Sequence, residues 1–278
     1  MDCRMTARGA EIPASPEFDL AQTLDCGQCF RWELLPDGCW QGVVSGRRVK
    51  IREQDGKVIF FGVGGAEFER VWAPYFDLDF DYAAVRRALS RKDPVLRRAA
   101  EFAPGIRLLR QDPWEALCSF IISQNNNIPR IKGIVARLCE QFGDDLGGYS
   151  SFPGAERLAP LREQEFAPIR CGFRAKYILS AARKVASGEV NLEALRAAPI
   201  EEARASLTTI YGVGEKVAEC ELLYGLHRLE AFPMDVWMKR AMSVLLPGRT
   251  PQQLGKYAGI AQQYLFHYSR CNAGLFSA

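Results

Sequence analysis

The hydrophobic periodicity of this chain changes once, near residue 78, and this change limits the folds open to it. Before it, short runs of alternating apolar residues separated by turn pairs predict strands at residues 40–44, 47–52 and 58–63. Further strands are expected at 18–20 and 28–34. After it, apolar residues recur at helical spacing. We therefore predict an α+β fold, with an N-terminal domain of twisted antiparallel β-sheet and some helices at 1–105 and a helical domain at 106–278.

Start and stop residues mark helices in the second part. Asp93 and Asp112 each precede a proline, which is typical of an N-cap followed by a first helical turn. Asn191 is a third predicted N-cap. The apolar positions Ile131, Ile134, Val135, Leu138 and Phe142 predict one amphipathic helix that ends at Gly143. Other helices are predicted over residues 175–187, 201–207, 215–226, 235–245 and 251–269.

Composition excludes some classes of protein. The formal net charge is only +3 over 278 residues, so any basic surface for nucleic acid must be local. The sequence has no apolar run of about 18 residues, so we expect no membrane span, and its start has no apolar segment typical of a secretory signal. Nine scattered cysteines fit reduced thiols in a cytosol, by default a bacterial one, or in a nucleus if the chain is eukaryotic.

Cys26 and Cys29 form a Cys-x-x-Cys pair, which is found in redox and zinc sites. Neither a second such pair nor a nearby histidine completes a zinc site. We therefore expect no metal and no cofactor.

A Gly-Val-Gly turn formed by Gly212, Val213 and Gly214 joins two predicted helices. Glycine permits close approach of another backbone, and N–H groups at the start of the following helix favour an anion such as a phosphate. The same turn is also common between helices of other functions. Lys216 lies in the first turn of the second helix, where the positive helix end disfavours an ammonium and favours the neutral amine that a nucleophile needs. Taken alone, Lys216 fits a solvated surface lysine better, because that is the usual place of this residue type.

Asp235 lies 19 residues after Lys216 and follows Pro233 at the predicted start of a helix. An N-cap role is expected, because aspartate is among the best capping residues. A capping carboxylate is fixed and ionised, so it can also stabilise a developing sugar cation, as in glycoside chemistry. The turn, the lysine and the aspartate together indicate an enzyme that acts on nucleic acid.

The turn, Lys216, Pro233 and Asp235 resemble the helix-hairpin-helix, Gly/Pro-rich-loop, Asp superfamily of base-excision DNA glycosylases, in which the lysine marks members that also cleave abasic strands. Four further stretches resemble the 8-oxoguanine DNA glycosylase family. They are LDCGQCFRW at 24–32, FIISQNNNIPR at 120–130, GFRAKY at 172–177 and AQQYLF at 261–266. They follow the order of that family over roughly residues 15–270, which makes the resemblance specific.

The resemblance implies a bifunctional glycosylase and abasic-site lyase that flips 8-oxoguanine out of duplex DNA. Lys216 and Asp235 would be catalytic: the lysine attacks C1′ and forms a Schiff base, and the aspartate stabilises the sugar cation and assists proton transfer. The backbone carbonyl of Gly27 would accept the N7–H that guanine lacks. The remaining residues expected to bind the base are Cys220 and Phe266, one on each face, and Gln262 at its Watson–Crick edge.

The resemblance also implies the contacts to the rest of the duplex. Asn125, Arg130 and Arg174 would address the unpaired opposite base, preferably cytosine, and Phe173 would wedge into the stack. Phosphate contacts would come from Gly212, Val213, Gly214 and Lys239. The expected partner is double-stranded DNA with 8-oxoguanine opposite cytosine, bound by a monomer and not at a membrane.

The chain departs from the family pattern at three positions. Trp237 occupies the place of a histidine that contacts phosphate in the best-studied branch, Tyr224 replaces a smaller apolar residue near the base pocket, and position 173 is Phe rather than Tyr. Only Cys271 follows Asp235, so the iron–sulfur cluster of other superfamily members is excluded by ligand count. Two alternatives stay open: a glycosylase of the same superfamily for another damaged base, such as an alkylated purine, and a non-catalytic DNA-binding protein.

Overall fold

The computed structural model describes residues 2–276. Residue 1 and residues 277–278, at the outer ends of the two predicted domains, lie outside the described part. The strands of the described chain are β1 Arg4–Thr6, β2 Gly9–Pro13, β3 Trp32–Leu34, β4 Trp40–Val44, β5 Arg47–Gln54 and β6 Lys57–Phe61. They form one sheet in the order β1-β2-β6-β5-β4-β3. The β1–β2, β2–β6 and β3–β4 pairs are antiparallel, which confirms the predicted sheet.

Two short turns set the register of the central strands. Ser45 and Gly46 have φ values of 48° and 72°, and Asp55 and Gly56 have 53° and 70°. Positive φ at both central residues is typical of the type I′ turns that join twisted antiparallel strands. Both turns were predicted from their sequence, and so were the three strands that they connect.

Fifteen α-helices are present in the described part of the chain. They are α1 Leu20–Leu24, α2 Gly65–Glu67, α3 Ala73–Tyr75, α4 Tyr82–Lys92, α5 Pro94–Phe102, α6 Pro113–Ser123, α7 Ile128–Phe142, α8 Ala155–Leu158, α9 Ala175–Ala186, α10 Leu192–Leu195, α11 Ile200–Thr208, α12 Glu215–Cys220, α13 Val236–Leu245, α14 Pro251–Leu254 and α15 Ala258–Cys271. Phe68–Trp72 and Glu221–Gly225 are π-helical, and Glu163–Ile169, Gly172–Arg174 and Ala273–Phe276 are 3₁₀-helical. None of the helices within residues 2–276 has the length and apolar character needed to cross a bilayer.

Local capping explains why most helix starts were predictable. The carboxylate of Asp93 accepts a hydrogen bond from Val95 N at 2.8 Å, and that of Asp112 accepts one from Glu115 N at 2.9 Å. Asn191 caps α10 in the same way. The five predicted apolar positions of α7 face the core, since each is buried. Gly143 follows this helix directly, as predicted.

Three predicted elements differ from the structure. The strand expected at 18–20 is wrong, because Asp19 accepts a hydrogen bond from Gln22 N at 2.8 Å and starts helix α1 instead. The strand expected at 28–34 is limited to β3, and the side chain of Gln28 donates hydrogen bonds to the carbonyls of Thr23 and Arg107. The helix expected at 251–269 is split into α14 and α15 at Gly255, whose φ of 80° interrupts a right-handed helix.

The chain divides into two compact units. Unit 1 comprises Met1–Gln28, Ile51–Arg110 and Arg228–Ala278, and unit 2 comprises Cys29–Lys50 and Gln111–His227. Each unit takes segments from both sides of residue 105. The predicted domain boundary at residue 105 is not tested by this division and stays a prediction.

The core of unit 1 is aromatic. Phe60 packs edge-on against Phe76 with 5.7 Å between ring centroids, and Phe76 also contacts Phe18 at 5.2 Å. The buried guanidinium of Arg107 lies 4.8 Å from the ring centroid of Tyr82 and donates to main-chain carbonyls. These contacts hold the loop after α5, while α5 itself packs against α15.

The core of unit 2 is built around α6, which is buried on almost all sides. It packs against α7, α9, α12 and the π-helical segment Glu221–Gly225. Glu221 is fully buried in this core, and neither of its carboxyl oxygens has a hydrogen-bond partner among the described residues. A Cβ at Gly225 would come within 2.3 Å of the Glu221 carboxyl, so glycine makes room for it.

Glu221 makes the stability of the protein depend on pH. Burial raises the pKa of Glu221 well above its usual range, so the folded protein keeps a proton that the unfolded chain releases above about pH 4.5. Stability is therefore fully present at lower pH and is lost as pH rises toward the folded-state pKa. We expect Glu221→Gln to remove this loss. The free energy of unfolding of the variant, relative to that of the wild type, should then increase by about 1.4 kcal/mol per pH unit above about pH 5.

Urea unfolding at pH 5.5, 7 and 8.5 checks this expectation. The exposed Glu156 provides the matched control, and Glu156→Gln should follow the wild-type curve at every pH. Parallel curves for Glu221→Gln and the wild type would show that Glu221 does not carry the pH dependence.

Candidate active site

Lys216 is held by a hydroxyl group and an aromatic ring. Its Nζ donates a hydrogen bond to Ser123 Oγ at 3.0 Å and lies 5.6 Å from the ring centroid of Phe120. Ser123, the last residue of α6, in turn donates to the carbonyl of Phe120 at 2.7 Å. No carboxylate of unit 2 pairs with Lys216, and its side chain is half-buried. The amine is therefore fixed in position without a counter-charge from its own unit.

Two further aromatic rings pack against Phe120, the ring that lies near Lys216. Phe120 stacks on Tyr224 with 5.0 Å between centroids and 18° between planes, and Phe30 meets Phe120 edge-on at 5.7 Å. Tyr224, one of the departures from the family pattern, is thus buried against Phe120, the ring that lies near the lysine. Cys220 is also buried, four residues after Lys216 on α12. Its predicted contact with a base stays a prediction.

The predicted turn between helices is present and depends on glycine. Gly212 has a φ of 84°, and a Cβ there would lie 2.2 Å from ring atoms of Tyr177. Val213 N donates to Ile210 O at 3.0 Å, which closes the turn, and Gly214 precedes α12 as its N-cap. The predicted helix-hairpin-helix is confirmed, since α11 and α12 flank this turn. Phosphate binding by Gly212, Val213 and Gly214 stays a prediction.

The residues predicted to address the opposite base come together in unit 2. Asn125 has a φ of 47° in the loop between α6 and α7. Arg174 is buried, and its guanidinium donates to the carbonyls of Gln124, Asn125 and Cys171 at 2.9, 2.9 and 3.1 Å. Burial and the nearby positive charge of Arg130 lower the pKa of Arg174. Arg174 thus holds the Asn125 loop through the main chain, and contacts of these residues with a base stay predictions.

Phe173 is the exposed neighbour of this buried arginine. Its ring is 48% exposed and lies 4.5 Å from the guanidinium carbon of Arg174. It belongs to the 3₁₀ turn that precedes α9. An exposed aromatic ring on a supported turn fits the predicted wedge.

In unit 1, Gly27 is held between two anchored residues. The carbonyl of Cys26 accepts a hydrogen bond from Gln263 Nε2 at 3.0 Å, and the buried amide of Gln28 bonds to the main chain of Arg107 at 2.8 Å. Gly27 itself has a φ of 86° and is partly exposed. Left-handed backbone of this kind favours glycine. The segment is therefore rigid at the residue predicted to read the damaged base.

Helix α15 carries the other two residues that were predicted to bind the base in unit 1. Gln262 is buried and donates from Nε2 to the carbonyl of Pro233 at 3.3 Å. Phe266 lies one turn later and is half-buried, with the guanidinium carbon of Arg270 5.6 Å from its ring centroid. Gln263, between them, is the residue that bonds to Cys26.

Asp235 is the N-cap of α13, as predicted. Its Oδ1 accepts a hydrogen bond from Met238 N at 2.7 Å, and the side chain is partly exposed. Val236 beside it is 85% exposed, and Lys239 is exposed one turn further on. Capping fixes one carboxylate oxygen and leaves the other free to act on a ligand.

Trp237 uses its indole N–H for a contact within unit 1. Its indole N–H donates to Ser269 Oγ at 2.8 Å, and Ser269 donates to the carbonyl of Phe266 at 2.9 Å. The side chain that replaces the family histidine is therefore used to join α13 to α15 within unit 1.

The Cys-x-x-Cys pair is not arranged as a reactive or metal-binding site. Cys26 Sγ donates to the carbonyl of Thr23 at 3.2 Å, and burial raises the pKa of Cys26 to about 12. Within residues 2–276, no three His, Cys, Asp or Glu side chains converge to hold a metal ion.

Sequence reasoning missed Ser123 and Gln263. Both lie inside stretches that carry the family resemblance: Ser123 is two residues before the Asn run, and Gln263 directly follows Gln262. No residue pattern marks either of them, because their partners are 93 and 237 residues away along the chain.

Comparison with known proteins agrees with this arrangement. Residues 11–117 match the family model of the 8-oxoguanine DNA glycosylase N-terminal domain, and residues 118–255 match that of the HhH-GPD superfamily base excision DNA repair proteins. The N-glycosylase/DNA lyase OGG1 of Arabidopsis thaliana is 33% identical over 90% of this chain and 77% of its own length.

Two solved structures are similar over almost the whole chain. One is the 8-oxoguanine glycosylase/lyase of Clostridium acetobutylicum in complex with double-stranded DNA containing cytosine opposite 8-oxoG. It has a TM-score of 0.91 at 36% identity, covering 98% of this chain and 99% of that one. The other is MBOgg1 with a low affinity DNA ligand, with a TM-score of 0.91 at 42% identity, covering 98% and 100%. The chain therefore belongs to the 8-oxoguanine DNA glycosylase family, within the HhH-GPD superfamily of base excision DNA repair proteins.

Proposed function

We propose that this chain excises 8-oxoguanine from duplex DNA and then cleaves the strand at the abasic site. The observation that carries the proposal is the state of Lys216: a half-buried amine, held by Ser123 Oγ over the ring of Phe120, with no carboxylate of its own unit to neutralise it. An amine that is fixed and free of an ion pair suits a nucleophile. The N-glycosylase/lyase names of the relatives support the same reaction.

The reaction follows from this amine. Lys216 Nζ forms a bond to C1′ of the flipped nucleotide as the bond from C1′ to the base breaks and the base leaves with the electron pair. Loss of a proton from the nitrogen and opening of the sugar ring give a Schiff base between Nζ and C1′. Removal of a proton from C2′ then expels the 3′ phosphate by β-elimination. The carboxylate of Asp235, fixed as an N-cap, stabilises the positive charge that develops on the sugar.

Recognition of the base is assigned to Gly27, Cys220, Gln262 and Phe266. The rigidity of the segment around Gly27 supports its role. A Gly27 carbonyl in a fixed position can accept a hydrogen bond from the N7–H of 8-oxoguanine, whereas guanine has no hydrogen on N7 to donate. A site with a fixed polar group discriminates strongly between a substrate that makes its hydrogen bond and an analogue that lacks the donor. The Clostridium acetobutylicum complex, with its cytosine opposite 8-oxoG, supports the same substrate here.

Contacts with the opposite strand are assigned to Asn125, Arg130 and Arg174, with Phe173 as the wedge and cytosine as the preferred base. The exposed ring of Phe173 supports the wedge role. Phosphates are assigned to the turn Gly212–Gly214 and to Lys239. We propose that the protein acts as a monomer.

Borohydride trapping tests the proposed function. The protein is mixed with labelled duplexes holding 8-oxoguanine opposite cytosine, guanine opposite cytosine, or an abasic site, and the reductant converts any Schiff base to a stable covalent adduct. We expect a shifted band with 8-oxoguanine and with the abasic site, and none with guanine. A band with the abasic duplex alone would mean a lyase for another damaged base, and no band at all would reject the amine mechanism.

Ser123 gives a prediction about positioning. We expect Ser123→Ala to slow excision by about tenfold to a hundredfold with little change in KM, because the amine loses the hydroxyl that orients it while the duplex contacts remain. Ser123→Thr keeps the hydroxyl and should restore most of the rate. Single-turnover excision measured from pH 6 to 9 is the check, and equal rates for Ser123→Ala and the wild type would contradict it.

A further inference from the structure

A row of exposed and half-buried side chains joins the helix-hairpin-helix turn to the wedge. It consists of Phe173, Lys176, Tyr177 and Tyr211, all in unit 2, and we call it the aromatic ridge. Phe173 meets Tyr177 at 5.7 Å and Tyr177 meets Tyr211 at 5.2 Å, both edge-on. Phe173 and Tyr211 are 48% and 58% exposed. Two exposed rings joined by a half-buried one indicate a binding surface.

Lys176 gives this ridge an uncompensated positive charge. Its Nζ lies 5.5 Å from the ring centroids of both Tyr177 and Tyr211. Among the described residues no carboxylate pairs with Lys176, whereas Lys184 on the same helix α9 forms an ion pair with Glu189. Aromatic faces orient an ammonium but do not cancel its charge. The charge of Lys176 therefore remains available to an anion.

Two contacts hold the aromatic ridge against the Gly212–Gly214 turn. The ring of Tyr177 lies against Gly212 so closely that any side chain there would overlap it. The N–H of Tyr211 donates to Ser180 Oγ at 3.1 Å, which ties the start of the turn to α9. Lys176 thus has a defined place beside the Gly212–Gly214 turn.

We infer that Lys176, framed by Tyr177 and Tyr211, binds a backbone phosphate of DNA, in addition to those assigned to the turn and to Lys239. The inference rests on the proposed function for the identity of its ligand. A DNA strand fits the surface because one end of the ridge adjoins a turn suited to phosphate and the other end carries an exposed aromatic wedge. The positive charge lies between them, where the strand backbone would pass.

The salt dependence of DNA binding tests the inference. Binding of a labelled duplex with 8-oxoguanine opposite cytosine is measured between 50 and 200 mM KCl by fluorescence anisotropy, with Lys216→Gln present in every protein to prevent turnover. One neutralised phosphate contributes about 0.9 to the slope of log K against log salt. We expect added Lys176→Gln to reduce the slope by about 0.9, so that it loses about 3.5-fold less affinity across this salt range.

Two control variants separate a specific contact from a general loss of charge. Lys176→Arg keeps the charge and should keep the slope. Lys184→Gln removes a charge from the same helix that is already paired, and it should also keep the slope. A slope for Lys176→Gln equal to that of Lys184→Gln overturns the inference.

Failure of the inference and failure of the proposed function are distinguishable. Trapping on the wild-type protein, which carries both Lys176 and Lys216, tests the proposed function separately from the slope. A normal band with an unchanged slope rejects the phosphate contact and leaves the proposed function standing. A reduced slope supports the contact whether or not the wild type traps, because the slope measures DNA binding and not chemistry.

Discussion

Lys216→Gln is expected to abolish the trapped band and to lower excision by about 10⁴-fold or more, because a carboxamide nitrogen cannot attack C1′ and removal of a nucleophile has effects of this size. The fold should be retained. Lys216 is half-buried, and a glutamine amide can still donate to Ser123 Oγ. Trapping and single-turnover excision on the duplex with 8-oxoguanine opposite cytosine are the measurements.

The matched control for this variant is Lys184→Gln, which removes a lysine elsewhere in unit 2 and should leave the band at full intensity. Far-UV circular dichroism and the urea midpoint of both variants should match those of the wild type. A trapped band that persists in Lys216→Gln would assign the Schiff base to another amine.

Asp235→Asn is expected to slow excision by about 10²–10³-fold, because the variant loses the negative charge that we propose stabilises the sugar cation. Asparagine caps helices about as well as aspartate does, so the hydrogen bond to Met238 N and the stability of α13 should persist. Cleavage of a preformed abasic site should fall less, since no bond to a base breaks in that step.

Asp235→Ala separates capping from catalysis. It removes both functions, and we expect it to lower the free energy of unfolding by about 1 kcal/mol in addition to the loss of rate. Urea unfolding and single-turnover excision on the three proteins give the comparison. If Asp235→Asn excised 8-oxoguanine at nearly the wild-type rate while Asp235→Ala did not, the aspartate would serve only as a cap.

Local signals made much of the fold predictable. Asp93 and Asp112 accept hydrogen bonds from N–H groups two and three residues later in the chain. Their capping role can therefore be predicted from neighbouring residues. The Ser45-Gly46 turn is local in the same way. Asp19 was the exception, because its apolar neighbours Phe18 and Leu20 suggested alternation while its capping bond determined the structure.

Contacts between distant segments were not predictable. The hydrogen bond from Lys216 to Ser123 joins two helices that are separated by most of unit 2, and nothing in either helix specifies the other. Glu221 shows a second limit. A charged residue in a helical pattern is expected to face water, but the π-helical segment that begins at Glu221 changes the helical register, and this residue is buried.

The family resemblance located residues whose types alone would have been uninformative. Phe266 and Cys220 fit an ordinary core as well as a base pocket, and the structure leaves one half-buried and the other buried. Arg174 shows what the resemblance did not provide. Its guanidinium is bonded to three main-chain carbonyls, so it supports the Asn125 loop whatever it does toward a base.

The buried thiols have a consequence for survival under oxidative stress. Seven of the nine cysteines are buried, and only Cys3 and Cys271 are exposed. Burial raises the pKa of Cys139 to about 12 and that of Cys171 to about 11. Peroxides attack thiolates far faster than thiols, so we expect these buried thiols to react slowly with peroxides. Burial of these thiols would protect the packing of both units under the oxidising conditions that create the proposed substrate.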